Sequence, residues 1–124
     1  MIKIALDAMG GDHGPITNIQ GAILAVKDLP IKVILVGNKH TLEKLLNNEP
    51  DWPKDKITIQ HASETVEMAE SPSKSFRQKK DSSIQIGLKL VKEDKADGFV
   101  SAGNTGAVLT ASTLILGRSN HVER

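Results

Sequence analysis

The stretch I-K-I-A-L-D-A-M-G-G-D-H-G-P, residues 2–15, decides the fold class. Residues 2–8 are mostly apolar, and three glycines follow within five positions, so we predict a short buried strand over residues 2–8 that ends in a loop. Pro15 stands where the first turn of a helix tolerates proline. Four apolar residues then recur at helical spacing: Ile16, Ile19, Ile23 and Val26. This order of strand, loop and amphipathic helix is a βα unit.

The same pattern recurs along the chain. We predict further strands over residues 32–37, 57–61 and 98–102 and further helices around residues 42–46, 82–94 and 107–116. Ser82 and Gln85 have the spacing of a capping box at the start of the second of these helices. Residues 62–81 have no clear period and are predicted to form a mobile loop with one short helix. Because parallel strands need crossover helices, the sequence predicts an α/β, Rossmann-like three-layer sandwich with a mainly parallel sheet.

The last predicted helix, residues 107–116, is apolar on nearly every side. A helix without a polar face is typically buried. Few other segments of this chain are left to cover it, and only a few polar residues follow it. We therefore expect that another subunit covers this helix or that the chain is the first part of a longer protein.

Composition excludes several classes of function. The chain has 124 residues, 16 basic and 15 acidic side chains, two Phe, one Trp and no Cys. The balanced charge and the few aromatic rings disfavour nucleic-acid binding. The absence of Cys excludes disulfides, thiolate metal sites and a cysteine nucleophile. With no apolar run near 20 residues and no signal-peptide pattern, we expect a cytoplasmic protein of one domain or part of one.

The glycine-rich loop D-A-M-G-G-D-H-G-P, residues 7–15, is the first candidate site. Glycines let backbone amides approach an anion closely, and the candidates here are Gly10, Gly11 and Gly14. Asp7 and Asp12 would orient amides or a cation, or cap the turn. His13 is the one histidine inside a candidate site. The loop lacks the G-x-G-x-x-G spacing and the P-loop lysine, so ligand contact and a tight turn without function both stay open.

The segment S-A-G-N-T-G-A, residues 101–107, is the second candidate. Ser101 falls within the end of a predicted strand, and Gly103 and Gly106 flank Asn104 and Thr105 before a helix begins. The free amides and positive end of such a helix suit a phosphate or a carboxylate. The alternative is that Asn104 or Thr105 only caps the helix.

Lys74, Arg77, Lys79 and Lys80 form a basic cluster before the predicted helix at residue 82. This cluster is a solvated face, a docking patch for an acidic partner, or a source of one cation for a bound phosphate. The four histidines lack metal-ligand spacing, and no G-x-S-x-G nucleophile elbow is present, so we predict no metal site and no serine-hydrolase chemistry. No organic cofactor is indicated either.

Four segments together resemble one family: the glycine-rich loop, L-V-G at residues 35–37, R-Q-K-K-D-S-S at 77–83 and A-D-G-F-V-S-A-G-N-T-G-A at 96–107. It is the PlsX family, the bacterial acyl-carrier-protein:phosphate acyltransferases of phospholipid synthesis. The resemblance implies a fold similar to isocitrate-dehydrogenase-like enzymes and phosphotransacetylases. It implies transfer of a long-chain fatty acyl group from acyl carrier protein to inorganic phosphate, giving an acyl phosphate.

The same resemblance implies a homodimer that associates peripherally with the inner face of the membrane. Family chains are longer, so residues 1–124 correspond to an N-terminal α/β portion that we expect to be inactive alone. The alternatives are a short-chain phosphotransacylase that uses coenzyme A thioesters, and an inactive fragment or binding module.

On this hypothesis, each candidate residue receives a role. The implied catalytic residues are Asn104, which would stabilise phosphate or the oxyanion, and His13, which would protonate the departing sulfur. The implied substrate-binding residues are Gly10, Gly11, Asp12, Gly14, Ser101, Gly103, Thr105 and Gly106. Arg77, Lys79 and Lys80 would dock the acidic acyl carrier protein.

Overall fold

Four parallel strands form the sheet in the computed structural model, which describes residues 1–117. The strands are β1 (Ile2–Asp7), β2 (Ile31–Gly37), β3 (Ile57–His61) and β4 (Gly98–Val100). Their order across the sheet is β3-β2-β1-β4, and all three pairings are parallel. The predicted α/β, Rossmann-like class is therefore confirmed.

Residues 1–117 form five helices, and three of them pack directly on the sheet: the first, the second and the fourth. The five helices are α1 (Gly14–Asp28), α2 (Lys39–Asn47), α3 (Pro72–Gln78), α4 (Ser83–Lys92) and α5 (Thr105–Ile115). Side chains of β2 alternate between the faces: Val33 and Leu35 pack in the core with α1 and α2, whereas Val36 packs in the core with α4. None of the helices within residues 1–117 has the length and apolar character needed to cross a membrane.

Most strands and helices begin and end within one or two residues of the predicted positions. The short helix predicted between residues 62 and 81 is α3.

The predicted capping box is only half formed. Ser82 Oγ accepts a hydrogen bond from the Gln85 amide (3.2 Å), as expected. The side chain of Gln85 does not return to Ser82, because its Nε2 donates to the Phe76 carbonyl (2.9 Å) and the Ser82 amide donates to Lys79.

The last predicted helix, α5, is covered on one side only within residues 1–117, which agrees with the expected shortage of covering segments. Helix α5 packs against α3 and α4, and its buried residues are Ala107 and Ala111. Leu109 and Leu114 are 66% and 63% exposed. Only one side of α5 has neighbours among residues 1–117, so its other apolar side faces outward.

The strand order creates a crevice at the carboxyl edge of the sheet. Strands β1 and β4 are neighbours, but the chain leaves them toward opposite faces, because α1 packs with the β2 and β3 side chains of one core and α5 packs with α4. In open parallel sheets, ligands bind where neighbouring strands diverge in this way. Both glycine-rich loops follow these two strands.

Two helical glycines allow a matched test of this packing. A Cβ at Gly21 of α1 would meet no atom within 4 Å, whereas a Cβ at Gly87 of α4 would overlap the ring of Phe99. We expect Gly21→Ala to raise the free energy of unfolding by about 0.5–1 kcal/mol, because alanine stabilises a helix. Gly87→Ala should lower it by about 1–3 kcal/mol through overpacking. Urea unfolding of both variants checks this, and equal effects would contradict the described packing of α4.

Candidate functional site

The Asp7 carboxylate ties the two loops together. Asp7 is the last residue of β1 and is 1% exposed. Its Oδ1 accepts hydrogen bonds from the amides of Met9 (3.1 Å) and Gly10 (3.2 Å) in the first loop. Its Oδ2 accepts one from Ser101 Oγ (2.8 Å), directly after β4. The turn-capping role considered for Asp7 is confirmed, and the carboxylate also reaches the second loop.

Gly10 and Gly103 let the two loops touch through their backbones. A Cβ on Gly10 would lie 2.6 Å from Asp7 Oδ2 and 2.9 Å from the Gly103 nitrogen. The Gly10 amide is bonded to Asp7, and the Gly103 amide donates to Ser101 Oγ (3.0 Å). These glycines are therefore needed for close packing, and their amides have acceptors inside the protein.

The first loop surrounds a pocket of about 220 Å³. It is lined by Gly10, Gly11, Asp12, His13, Gly14, Thr17, Asn18 and Ala102. Gly11 (φ +95°) and Gly14 (φ +68°) adopt backbone conformations that favour glycine. Hydrogen bonds among residues 1–117 leave the amides of Gly11, Asp12 and His13 without an acceptor.

Helix α1 begins at this pocket without a side-chain cap. Its N-cap residue, His13, makes no capping hydrogen bond. The N-cap side chains of the other four helices each accept one: Asn38, Ser71, Ser82 and Asn104. The start of α1 thus combines unbonded amides with the positive end of the helix dipole, the arrangement that stabilises a bound anion.

Asn18 supports the pocket and was missed in the sequence analysis. Its Nδ2 donates to the carbonyls of Ala8 (2.9 Å) and Gly10 (2.8 Å), so the second turn of α1 holds the loop in place. The available signal was an asparagine beside Ile19 in the apolar pattern of α1. Asparagine is a weak helix former, so its presence inside a helix suggests a specific hydrogen bond.

Asn104 caps α5 and also binds the segment before α3. Its Oδ1 accepts a hydrogen bond from the Ala107 amide (3.0 Å), so Asn104 caps the helix. Its Nδ2 lies 3.1, 3.2 and 2.9 Å from the carbonyl oxygens of Glu67, Met68 and Glu70. The side-chain amide is therefore directed at residues 67–70.

The start of α5 lies apart from the glycine pocket. A Cβ on Gly106 would lie 2.7 Å from Pro72 Cγ, so this glycine permits close contact with the start of α3. Asn104, Thr105 and Gly106 do not line the pocket, which meets the second loop at Ala102. The structure thus brings Ser101 and Gly103 next to Gly10, and places Asn104 and Gly106 beside residues 67–72.

The basic cluster separates into paired and exposed side chains. Lys79 Nζ forms an ion pair with Glu70 and donates to the Thr65 carbonyl (2.7 Å). The hydrogen bond from Lys79 lowers the pKa of Glu70. Arg77 and Lys80 are exposed. Two of the three predicted docking residues therefore present their charges to solvent.

Comparison with known proteins identifies the family. Residues 2–124 match the model of a family described as fatty acid synthesis protein. The chain belongs to the fatty acid synthesis protein family. The resemblance stated from its motifs is thereby confirmed.

Curated relatives of this fatty acid synthesis protein carry the name phosphate acyltransferase. The relatives from Alkaliphilus oremlandii and Dictyoglomus turgidum are each 48% identical over 123 residues, and the one from Clostridioides difficile is 42% identical over 123 residues. Each alignment covers 99% of this chain and 36% of the relative. The chain thus spans little more than a third of their length.

Asn104→Asp tests whether the side-chain amide of Asn104 stabilises residues 67–70. The variant keeps an oxygen acceptor for the cap but loses the donor to residues 67–70. We expect the free energy of unfolding to fall by about 1–3 kcal/mol, because a carboxylate would face three carbonyls. Hydrogen exchange in residues 67–70 should become faster. Asn38→Asp is the control, since the Asn38 side chain caps α2 through the Thr41 amide and aspartate caps equally well. Equal losses of unfolding free energy in both variants would show that the Asn104 amide does not stabilise residues 67–70.

Proposed function

We propose that this chain is the N-terminal part of a longer phosphate acyltransferase, which transfers a fatty acyl group from acyl carrier protein to inorganic phosphate. The names of the relatives support phosphate and an acyl group as substrates. The observation that carries the proposal for this chain is the glycine pocket at the start of α1. It offers three amides without an acceptor in residues 1–117, next to an uncapped helix end.

The reaction needs little acid or base chemistry from the protein. A phosphate oxygen attacks the thioester carbonyl carbon, a C–O bond forms, and the carbonyl oxygen becomes an oxyanion. When this intermediate collapses, the C–S bond breaks and the sulfur takes the electron pair. Phosphate is already anionic near neutral pH, and a thiol with a pKa of about 8.5 is a fair leaving group. Positioning supplies up to about 7–11 kcal/mol, and one oxyanion donor about 3–4 kcal/mol.

We assign the anion to the pocket around Gly11 and Gly14. Backbone amides hold a dianion without adding a titrating group, and the dipole of α1 adds to the attraction. His13 is exposed on the pocket lining, where it would give a proton to the departing sulfur. Asn104 acts as a positioning residue in this scheme, because its side chain holds residues 67–70 against the second loop.

The proposal also covers the cellular location and the oligomeric state of the longer enzyme. The longer protein would work in the cytoplasm as a homodimer, in peripheral contact with the membrane. The outward apolar side of α5, with Leu109 and Leu114 exposed, supports a contact with a second subunit or with further chain.

Phosphate titration of the nitrogen-15-labelled chain tests the anion site. We expect the amide signals of Gly11 to Gly14 to shift together and saturate. Asp12→Asn should tighten phosphate binding by about twofold to fivefold at low salt, because a negative charge leaves the pocket lining. Asp28→Asn is the matched control, since it removes the same charge at the far end of α1. A dispersed spectrum without shifts in this loop, or equal effects of both variants, would refute the assignment.

Charge reversal tests the docking surface. The double variant Arg77→Glu and Lys80→Glu should weaken binding of the acidic acyl carrier protein by about threefold to thirtyfold and reduce its salt dependence. The control pair, Lys32→Glu and Lys44→Glu, changes the net charge equally at other exposed positions. Titrations at two salt concentrations measure the effect. If both pairs weaken binding equally, the basic cluster is only a solvated face.

A further inference from the structure

The lining of the glycine pocket contains a carboxylate and, within residues 1–117, no lysine or arginine. This carboxylate belongs to Asp12, whose side chain is exposed. It forms no hydrogen bond or ion pair with any other part of the described chain. A carboxylate beside a proposed anion site repels a fully ionised ligand. The presence of Asp12 therefore restricts which anions the pocket can hold.

The other polar groups of the pocket are mainly donors. The amides of Gly11, Asp12 and His13 have no acceptor within residues 1–117. Thr17 adds a hydroxyl group, which can donate or accept. The side-chain nitrogen of Asn18 is already bonded to two loop carbonyls, so it offers no proton to a ligand. A ligand that satisfies both the amides and the carboxylate has several acceptor oxygens and at least one O–H group.

Phosphate and sulfate differ in that O–H group. Both anions carry four oxygens in the same tetrahedral arrangement. Near neutral pH, however, phosphate keeps at least one proton, whereas sulfate keeps none. A carboxylate accepts a hydrogen bond from the proton of phosphate but meets only lone pairs on sulfate. A site built to bond an O–H group rejects the analogue that lacks it.

Building on the proposed function, we propose that the Asp12 carboxylate accepts a hydrogen bond from the proton of bound phosphate and makes the pocket selective for protonated oxyanions. The amide of Asp12 donates to the same ligand, so one residue contributes both a donor and an acceptor. The absence of lysine and arginine from the described lining supports this role. A cationic side chain would attract phosphate and sulfate alike, whereas a carboxylate discriminates against sulfate.

The same contact distinguishes the substrate from the product. When the phosphate dianion attacks the thioester carbon and the C–S bond breaks, the remaining proton of phosphate ends on the departing sulfur. The acyl phosphate then carries no proton on its phosphate oxygens. It meets the Asp12 carboxylate with lone pairs only, as sulfate does. Asp12 thus favours phosphate before the reaction and release of the acyl phosphate after it.

Matched anions test the inference on the nitrogen-15-labelled chain. Phosphate, sulfate and methyl phosphate are titrated at constant ionic strength and at about pH 8, where methyl phosphate is a dianion without a proton. Free phosphate is then mostly a dianion with one proton, so charge does not distinguish the three ligands. The readout is the shift of the Gly11 to Gly14 amides. Phosphate should bind about tenfold to hundredfold more tightly than the other two, the factor expected for a hydrogen bond to a charged group.

Substitutions of Asp12 test whether its carboxylate causes this preference. Asp12→Asn and Asp12→Ala should each reduce the preference to about threefold or less, because sulfate gains far more affinity than phosphate. Alanine has no polar side-chain atom, so it separates the loss of the carboxylate from any new contact of asparagine. Asp28→Asn removes the same charge at the far end of α1 and should leave the preference unchanged. Amide spectra of each variant check that the fold is intact.

The outcomes separate this inference from the proposed function. If sulfate or methyl phosphate shifts the loop amides and binds as tightly as phosphate, the inference fails and the anion site stands. If the preference survives in Asp12→Ala, the backbone amides alone cause it and the inference fails. If Asp28→Asn lowers the preference as much as the Asp12 variants do, the effect is one of net charge and the inference fails. If no anion moves the loop amides, both proposals fail.

Discussion

The buried carboxylate of Asp7 sits between two loops that the sequence separates widely, and it accepts hydrogen bonds from both. A carboxylate taken out of water is costly unless donors surround it, so the loops after β1 and β4 have to meet at this point. Once they meet, there is no room for a Cβ at Gly10. The glycine at position 10 and the close approach of Gly103 are consequences of the same constraint.

The two glycine-rich loops look alike in sequence but differ in what their glycines do. Gly11 and Gly14 supply positive φ at the open pocket, where amides stay unbonded within residues 1–117. Gly106 instead makes room for Pro72, and Asn104 holds the segment before α3. One loop thus leaves backbone amides unbonded at the pocket, whereas the other packs against a neighbouring segment of the chain. A motif of small and polar residues is compatible with both roles, because each needs close backbone approach.

The sequence predicted the fold well and the site only in part. Continuous apolar runs such as that of β2 are typical of buried parallel strands, and the glycine motifs identified the family correctly. The predicted return hydrogen bond from the Gln85 side chain to Ser82 was wrong. The partner of this side chain depends on where the Phe76 carbonyl lies in space, which the sequence spacing does not report. Asn18 was missed since its role depends on the path of a neighbouring loop. The partial exposure of α5 was expected from the shortage of covering segments, but periodicity could not say which of its sides would be covered, because it reports which residues prefer burial and not which neighbours are present.

The hydrogen bond between Ser101 and Asp7 joins residues that are 94 positions apart in the chain. Closing so long a segment costs conformational entropy, and contacts of this span form slowly in folding. The first loop is therefore synthesised long before the serine that holds it in place. During synthesis, the Asp7 carboxylate stays hydrated until β2, β3 and β4 have been synthesised and Ser101 can reach it. The pocket therefore takes its final shape late in folding, after nearly all of residues 1–117 have adopted their native positions.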